Sequence, residues 1–128
     1  MIASPVCRIL AVDDLPDNLF LLQTILEAEG YEVDVAEHGR VALAKIQALP
    51  PDLVLLDVMM PDLNGLEVTK AIRENENLRS LPIVLITAHE DAMMTQGLEV
   101  GANDFIRKPI DFEHLLTTIR TFLQLKPS

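Results

Sequence analysis

Short apolar runs of strand length alternate five times with longer stretches in which apolar residues recur every three or four positions. That alternation predicts a parallel α/β sheet rather than a meander of hairpins, because each strand is followed by a helix long enough to cross back. The first run is residues 8–12. Pro16, beside Asp17 and Asn18, marks a helix start, and Leu22, Ile25 and Leu26 then share one helical face until Gly30 ends it. Residues 31–36 alternate apolar with charged, as expected of an edge strand with one partly wetted face. Ala42, Ile46 and Leu49 predict one side of a second helix, which Pro50-Pro51 stops. Residues 53–56 and 83–86 are uninterrupted apolar runs, which predicts the sheet's middle strands with helices on both faces. Between them a helix carries Val68, Ala71 and Ile72. After the second run comes a weaker helix around Met94 and Leu98, which contains Gly97, ends at Gly101 and is expected to be mobile. Residues 104–107 predict a short fifth strand. The last helix fits the helical template best, through Phe112, Leu115, Leu116, Ile119, Phe122 and Leu123, and residues 126–128 read as a frayed tail.

Five strands joined by right-handed crossovers predict a doubly wound, flavodoxin-like (βα)5 sheet with strand order 2-1-3-4-5. A chain of 128 residues fits one domain over 1–128 and buries enough surface to fold without metal or disulfide staples. Its single cysteine, Cys7, cannot form an internal bridge and reads as a small buried apolar residue of the first strand. The formal net charge of −10 repels phosphate backbones, so direct nucleic-acid binding is not expected. Although 49% of the residues are hydrophobic, no apolar run approaches the roughly 18 residues that span a bilayer. Pro5 and Arg8 interrupt the first apolar stretch and Asp13-Asp14 follows it, so no secretory signal is read there. A cytoplasmic protein without membrane association is the expectation.

The candidate chemistry falls at the carboxyl ends of the strands. Asp13 and Asp14 follow the first, Asp57 the third, Thr87 the fourth and Lys108 the fifth. In open parallel sheets ligands bind outside those ends, where the strand order reverses, here between strands one and three. Three carboxylates brought into one crevice repel one another unless a cation or a basic group joins them. Mg²⁺ suits a set of oxygen donors without His or Cys, and one such ion together with Lys108 would neutralise three Asp.

Each of these residues also has a plainer reading. Asp after a strand is often a helix N-cap, Thr87 alone is a strand-end hydroxyl, and Lys108-Pro109 alone is a turn. The conjunction at four strand ends is what argues for a site. Asn64-Gly65 reads first as a turn dipeptide, and Met59-Met60 as core or gap filler. His38, His89 and His114 lie in unrelated segments and predict no zinc cluster. No Gly-rich phosphate loop, nucleophile elbow or HExxH motif is present.

Val12-Asp13-Asp14, the run from Leu55 through Asp57 to Met59-Met60-Pro61, Asn64-Gly65, Thr87-Ala88, the run from Gly101 to Phe105, and Lys108-Pro109 together resemble the receiver domain of two-component response regulators. The resemblance covers almost the whole chain. It implies that Asp57 is the phosphoacceptor, that Asp13, Asp14, Asp57 and the backbone carbonyl of Met59 hold Mg²⁺, that Lys108 pairs with the phosphoryl group, and that Thr87 is a switch residue that reaches for it after transfer. Phe105, on the neighbouring strand and large enough to fill the space Thr87 would vacate, is expected to be the second switch residue, its plainer reading being core. The resemblance also implies a cis peptide before Pro109, and a sensor histidine kinase or phosphotransfer protein as phosphodonor. Residues at Met59 and His89 would govern attack of water on the acyl phosphate, and an apolar Met59 predicts slow decay. Output is expected at the face of the fourth helix, fifth strand and fifth helix.

No DNA-binding, enzymatic or kinase segment is read after the last helix, so a free-standing regulator acting on a downstream protein target is expected, or an effector domain if the chain is a fragment. Two other functions compete. A Mg²⁺-dependent phosphohydrolase of the haloacid dehalogenase type also uses an aspartyl nucleophile after a strand, but it needs a second acid two residues on. Met59 stands there and cannot act as an acid, so no enzyme is expected beyond a phosphoacceptor that assists its own phosphorylation and dephosphorylation. The alternative is a phosphorylation-independent interaction module of the same fold, against which Asp13, Asp14, Asp57, Thr87 and Lys108 all argue.

Overall fold

The structure, a computed structural model, describes residues 6–88 and 91–124. Its strands are β1 (Arg8–Val12), β2 (Glu32–Ala36), β3 (Leu53–Asp57), β4 (Ile83–Thr87) and β5 (Asp104–Arg107). They form one parallel sheet in the order β2-β1-β3-β4-β5. The crossovers are α1 (Pro16–Ala28), α2 (Gly39–Ala48), α3 (Gly65–Glu74), α4 (Asp91–Glu99) and α5 (Phe112–Gln124), with a 3₁₀ turn over Glu76–Leu78 after α3. This is the flavodoxin-like arrangement expected from the alternation of runs. Among the described residues no helix is long and apolar enough to cross a membrane. The tail at 126–128 and His89 lie outside the described residues.

Strand alternation divides the core in two. Leu10, Val12, Val54, Leu56, Ile83 and Leu85 pack with Ala42 and Ile46 of α2 and Val68 and Ile72 of α3. Ile9, Ala11, Leu53, Leu55, Val84 and Ile86 pack with Leu19, Leu22 and Leu26 of α1 and Leu115 and Ile119 of α5. β3 and β4 are buried along their whole length, as the uninterrupted apolar runs predict. Each fully buried Leu or Ile is worth about 1.5–3 kcal/mol of hydrophobic stabilisation. β2 and β5 are the edge strands and only partly covered.

The structure differs from the sequence pattern in a few places. Leu49 is 60% exposed, because it is the C-cap of α2 in extended conformation and has left the helical stripe that holds Ala42 and Ile46. Ile25 and Ala71 are half-buried, and on α3 Thr69 is buried in the second's stead, its hydroxyl donating to the Gly65 carbonyl at 2.7 Å. Cys7 precedes β1 and is half-buried, since the strand pairing begins at Arg8. Asn64-Gly65 is a helix start rather than a turn: Asn64 accepts from Glu67 N at 2.9 Å while Glu67 accepts from Asn64 N at 3.0 Å. That reciprocal capping box supplies partners for backbone donors at the start of α3.

Candidate functional site

Parallel strands aim their carboxyl ends at one rim, and the neighbours β1 and β3 bring Asp13 and Asp57 together there. Asp13, Asp14 and Asp57 each offer an oxygen within 4.8 Å of the others. Asp13 is 3% and Asp57 4% exposed, and Asp14 is half-buried. The loop after β1 fixes Asp13: its Oδ1 accepts from Leu15 N at 2.9 Å and its Oδ2 from Asn18 Nδ2 at 3.1 Å. Asp57 Oδ1 accepts from Met59 N at 3.2 Å.

Lys108 closes the group from β5. Its Nζ donates to Asp57 Oδ2 at 3.5 Å and stands 3.7 Å from Asp13 Oδ2. Its backbone N–H donates to the Thr87 carbonyl at 2.9 Å, tying the end of β5 to that of β4. The Lys108-Pro109 peptide is cis, as the resemblance implies. Burial above all, with the nearby Asp13 charge, pushes the Asp57 carboxyl above the usual range, while the Lys108 ammonium and the Met59 N–H act the other way. Among the described residues one cation, Lys108, thus serves two buried carboxylates, an arrangement in which a second cation is favoured.

Thr87 is the buried last residue of β4. By alternation it shares a sheet face with Leu85, which is paired in register with Phe105 on β5. Phe105 is half-buried and packs on the α2/α3 side of the core, two positions before Arg107, the register partner of Thr87. It therefore stands away from the carboxylates. The Met59 side chain is 51% exposed whereas Met60 is buried, so the gap-filling reading holds for the second methionine only. His89, expected near the site, falls outside the described residues.

The supporting roles of three residues do not show in the sequence. Gly65 packs against the end of β3: a Cβ there would lie 2.7 Å from the Asp57 carbonyl oxygen and 2.9 Å from Val58 Cα. Asp62 reaches from the loop after β3 to the start of α2, accepting from Gly39 N at 3.2 Å and Arg40 N at 3.3 Å. Desolvation opposes these bonds, yet the backbone N–H groups of Leu63, Arg40 and Gly39 together hold the Asp62 carboxyl below the usual range. Asn18 stands out in the sequence only as part of a helix start. The Asn64-to-Glu67 spacing was the one signal in the sequence that could have located Gly65 at a helix start.

The sequence and the fold both match known proteins. Residues 9–120 match the family model of the response regulator receiver domain. The chain is 44% identical over 120 residues to the response regulator PleD of Caulobacter vibrioides, covering 93% of this chain and 26% of PleD. It is 40% identical to the response regulator ArlR of Staphylococcus saprophyticus, covering 94% of this chain and 54% of ArlR. The chain thus spans between about a quarter and about half of the length of these two relatives. Among solved structures, the chemotaxis protein CheY4 of Vibrio cholerae superposes with a TM-score of 0.87 at 34% identity, covering 92% of this chain and 99% of that one. On this fold, this match and this identity, the chain belongs to the response regulator receiver domain family.

Proposed function

We propose that the chain is a phosphorylation-activated switch of a two-component system, in which Asp57 accepts a phosphoryl group from a phosphohistidine of a sensor histidine kinase or phosphotransfer protein. The observation that carries this reading is the convergence of Asp13, Asp14 and Asp57 within 4.8 Å with Lys108 Nζ 3.5 Å from Asp57. The donors in that cluster are all carboxylate oxygens, which fits Mg²⁺; Asp13, Asp14, Asp57 and the Met59 carbonyl would hold it. Bound there, the ion supplies positive charge beside the oxygens of the transferring phosphoryl group.

The chain's own residues do the rest. A carboxylate oxygen of Asp57 attacks phosphorus as the P–N bond to the donor imidazole breaks, and the electron pair leaves with the imidazole. Lys108 offsets negative charge on the phosphoryl oxygens, while the bonds from Leu15 and Asn18 keep Asp13 in place. The acyl phosphate carries about −1.5 to −2 charge and three strong acceptors, so the Thr87 hydroxyl gains a partner that the unmodified state does not offer. Such a differential contact is what shifts a two-state equilibrium. Thr87 and Phe105 then relay it to a downstream protein target or an effector domain, in the cytoplasm, with the chain acting as a single receiver domain.

Mass spectrometry after treatment with a small phosphodonor tests the assignment. Phosphorylation is expected on Asp57, only with Mg²⁺ present, and absent from Asp57→Asn. Full labelling of Asp57→Asn, or full labelling in chelator, would overturn the assignment, and a wild-type chain that takes up no phosphoryl group would leave the phosphorylation-independent interaction module.

A further inference from the structure

Asn18 is the third residue of α1, and its side chain is not used on its own helix. The N-cap position of α1 is Leu15, which offers no side-chain cap, Pro16 occupies the first turn, and the Asn18 N–H already donates to the Leu15 carbonyl at 3.1 Å. The side chain turns back instead and its Nδ2 donates to Asp13 Oδ2 at 3.1 Å. The opposite amide orientation would set a carbonyl oxygen against a carboxylate, so the donor assignment follows from chemistry. Asn18, Asp13 and Lys108 line one cavity of about 270 Å³ between α1 and the loop after β5.

Asp13 Oδ2 is the oxygen that Lys108 approaches to 3.7 Å, while the same ammonium lies 3.5 Å from Asp57 Oδ2. Without Asn18, that oxygen would have Lys108 alone, and Lys108 would be drawn toward Asp13 and away from Asp57. A cationic side chain at position 18 would fill the role by cancelling charge the divalent ion needs. An acidic one would repel Asp13. A neutral amide donor orients the carboxylate and leaves the charge of the cluster intact. Groups that hold a metal ligand in place typically change metal affinity about 10- to 100-fold when removed.

We infer that Asn18 is a positioning residue for divalent cation binding: its amide holds Asp13 for the ion and frees Lys108 to serve Asp57. This rests on the function proposed above and adds a residue that the receiver motifs quoted from the sequence do not contain. Isothermal titration with Mg²⁺ alone, no phosphodonor present, is the test, alongside thermal melts in chelator. Asn18→Leu should bind Mg²⁺ roughly 10-fold more weakly than wild type while melting in chelator within about 2 °C of it, a shift of well under 1 kcal/mol. Asn18→Ser, too short to reach Asp13, should behave likewise and serves if the leucine variant folds poorly. Asn18→Gln, which keeps the amide, should recover most of the affinity. A Kd for Asn18→Leu or Asn18→Ser within about twofold of wild type, less than the loss expected of a ligand-orienting group, overturns the assignment of Asn18 alone. Absence of any Mg²⁺ binding by the wild-type chain overturns the reading of the whole site.

Discussion

Asp13 and Asp57 share one ammonium group and are almost wholly buried, and neither can move without breaking bonds to the segments that follow β1 and β3. Part of the upward push on the Asp57 carboxyl is the Asp13 charge itself, after burial. Removing that charge while keeping the shape should therefore relieve strain in the metal-free protein. Asp13→Asn is expected to raise stability in chelator by about 1 kcal/mol, the usual size of such gains at functional sites, and to abolish Mg²⁺ binding. Urea denaturation with and without the ion measures both. A lower midpoint for Asp13→Asn in chelator would show that the bonds from Leu15 N and Asn18 Nδ2 need the full carboxylate, and that Asp13 acts first as a cap for the start of α1.

At the scale of elements, the carboxyl end of α4 is fastened by a residue of α3. Arg73 donates to the Gly101 carbonyl at 2.8 Å, the Leu78 carbonyl at 3.1 Å and Asn103 Oδ1 at 2.9 Å. Asn103 in turn accepts from Ile83 N at 2.8 Å, so one guanidinium joins α3, the 3₁₀ turn, and the starts of β4 and β5. Gly101 has φ +112° and a Cβ there would lie 2.7 Å from Arg73 Cγ, whereas Gly30, with φ +93°, has open space around it. Gly30→Ala should thus lose about 1 kcal/mol from backbone strain alone, at the low end for such residues. Gly101→Ala should lose about 1–2 kcal/mol more, because the guanidinium must also leave its acceptors. Equal losses in urea denaturation would show that Arg73 simply swings aside.

These fastenings mark the limit of what the sequence discloses. Apolar period locates the strands to within a residue, and β5 matches at both ends, because burial of one face is a local, repeating demand. The conjunction of Asp13, Asp14, Asp57 and Lys108 was legible for a related reason, since parallel strands bring their last residues to one rim whatever lies between them. Leu49 was misread because the period continues past the point where Pro50 pulls the chain out of the helix. Arg73, Asp62 and Asn18 were not legible at all. Each is a polar residue whose partner is set by how two elements pack, and no spacing along the chain encodes that distance.

For the molecule as a whole, the question is how a change at Asp57 reaches a surface. The α3/α4 side of β4 offers a continuous path. Thr87 and Leu85 share that side, Phe105 is the register partner of Leu85, and a Cβ on Gly97 would overlap Leu85 Cδ1, so α4 rests directly on β4. A hydroxyl drawn toward the phosphoryl group would vacate space at the end of this row, and Phe105, only half-buried, is the large side chain positioned to take it. The Arg73 fastening holds the far end of α4, which concentrates any shift at the end nearer Asp57. Coupling of about 1–3 kcal/mol, or roughly 5- to 150-fold in partner affinity, is typical of such devices. Thr87→Ala should therefore leave phosphorylation of Asp57 intact while erasing most of the amide chemical-shift change that a phosphate mimic induces in α4, β5 and α5. Phe105→Leu, which keeps the core filled but shortens the ring's reach, should reduce the same changes in α4 while leaving those at the loop after β3 in place. If the Thr87→Ala spectrum responds to the mimic as fully as wild type, the signal leaves through another route, and the Asp62 bonds from the loop after β3 to the start of α2 become the path to examine next.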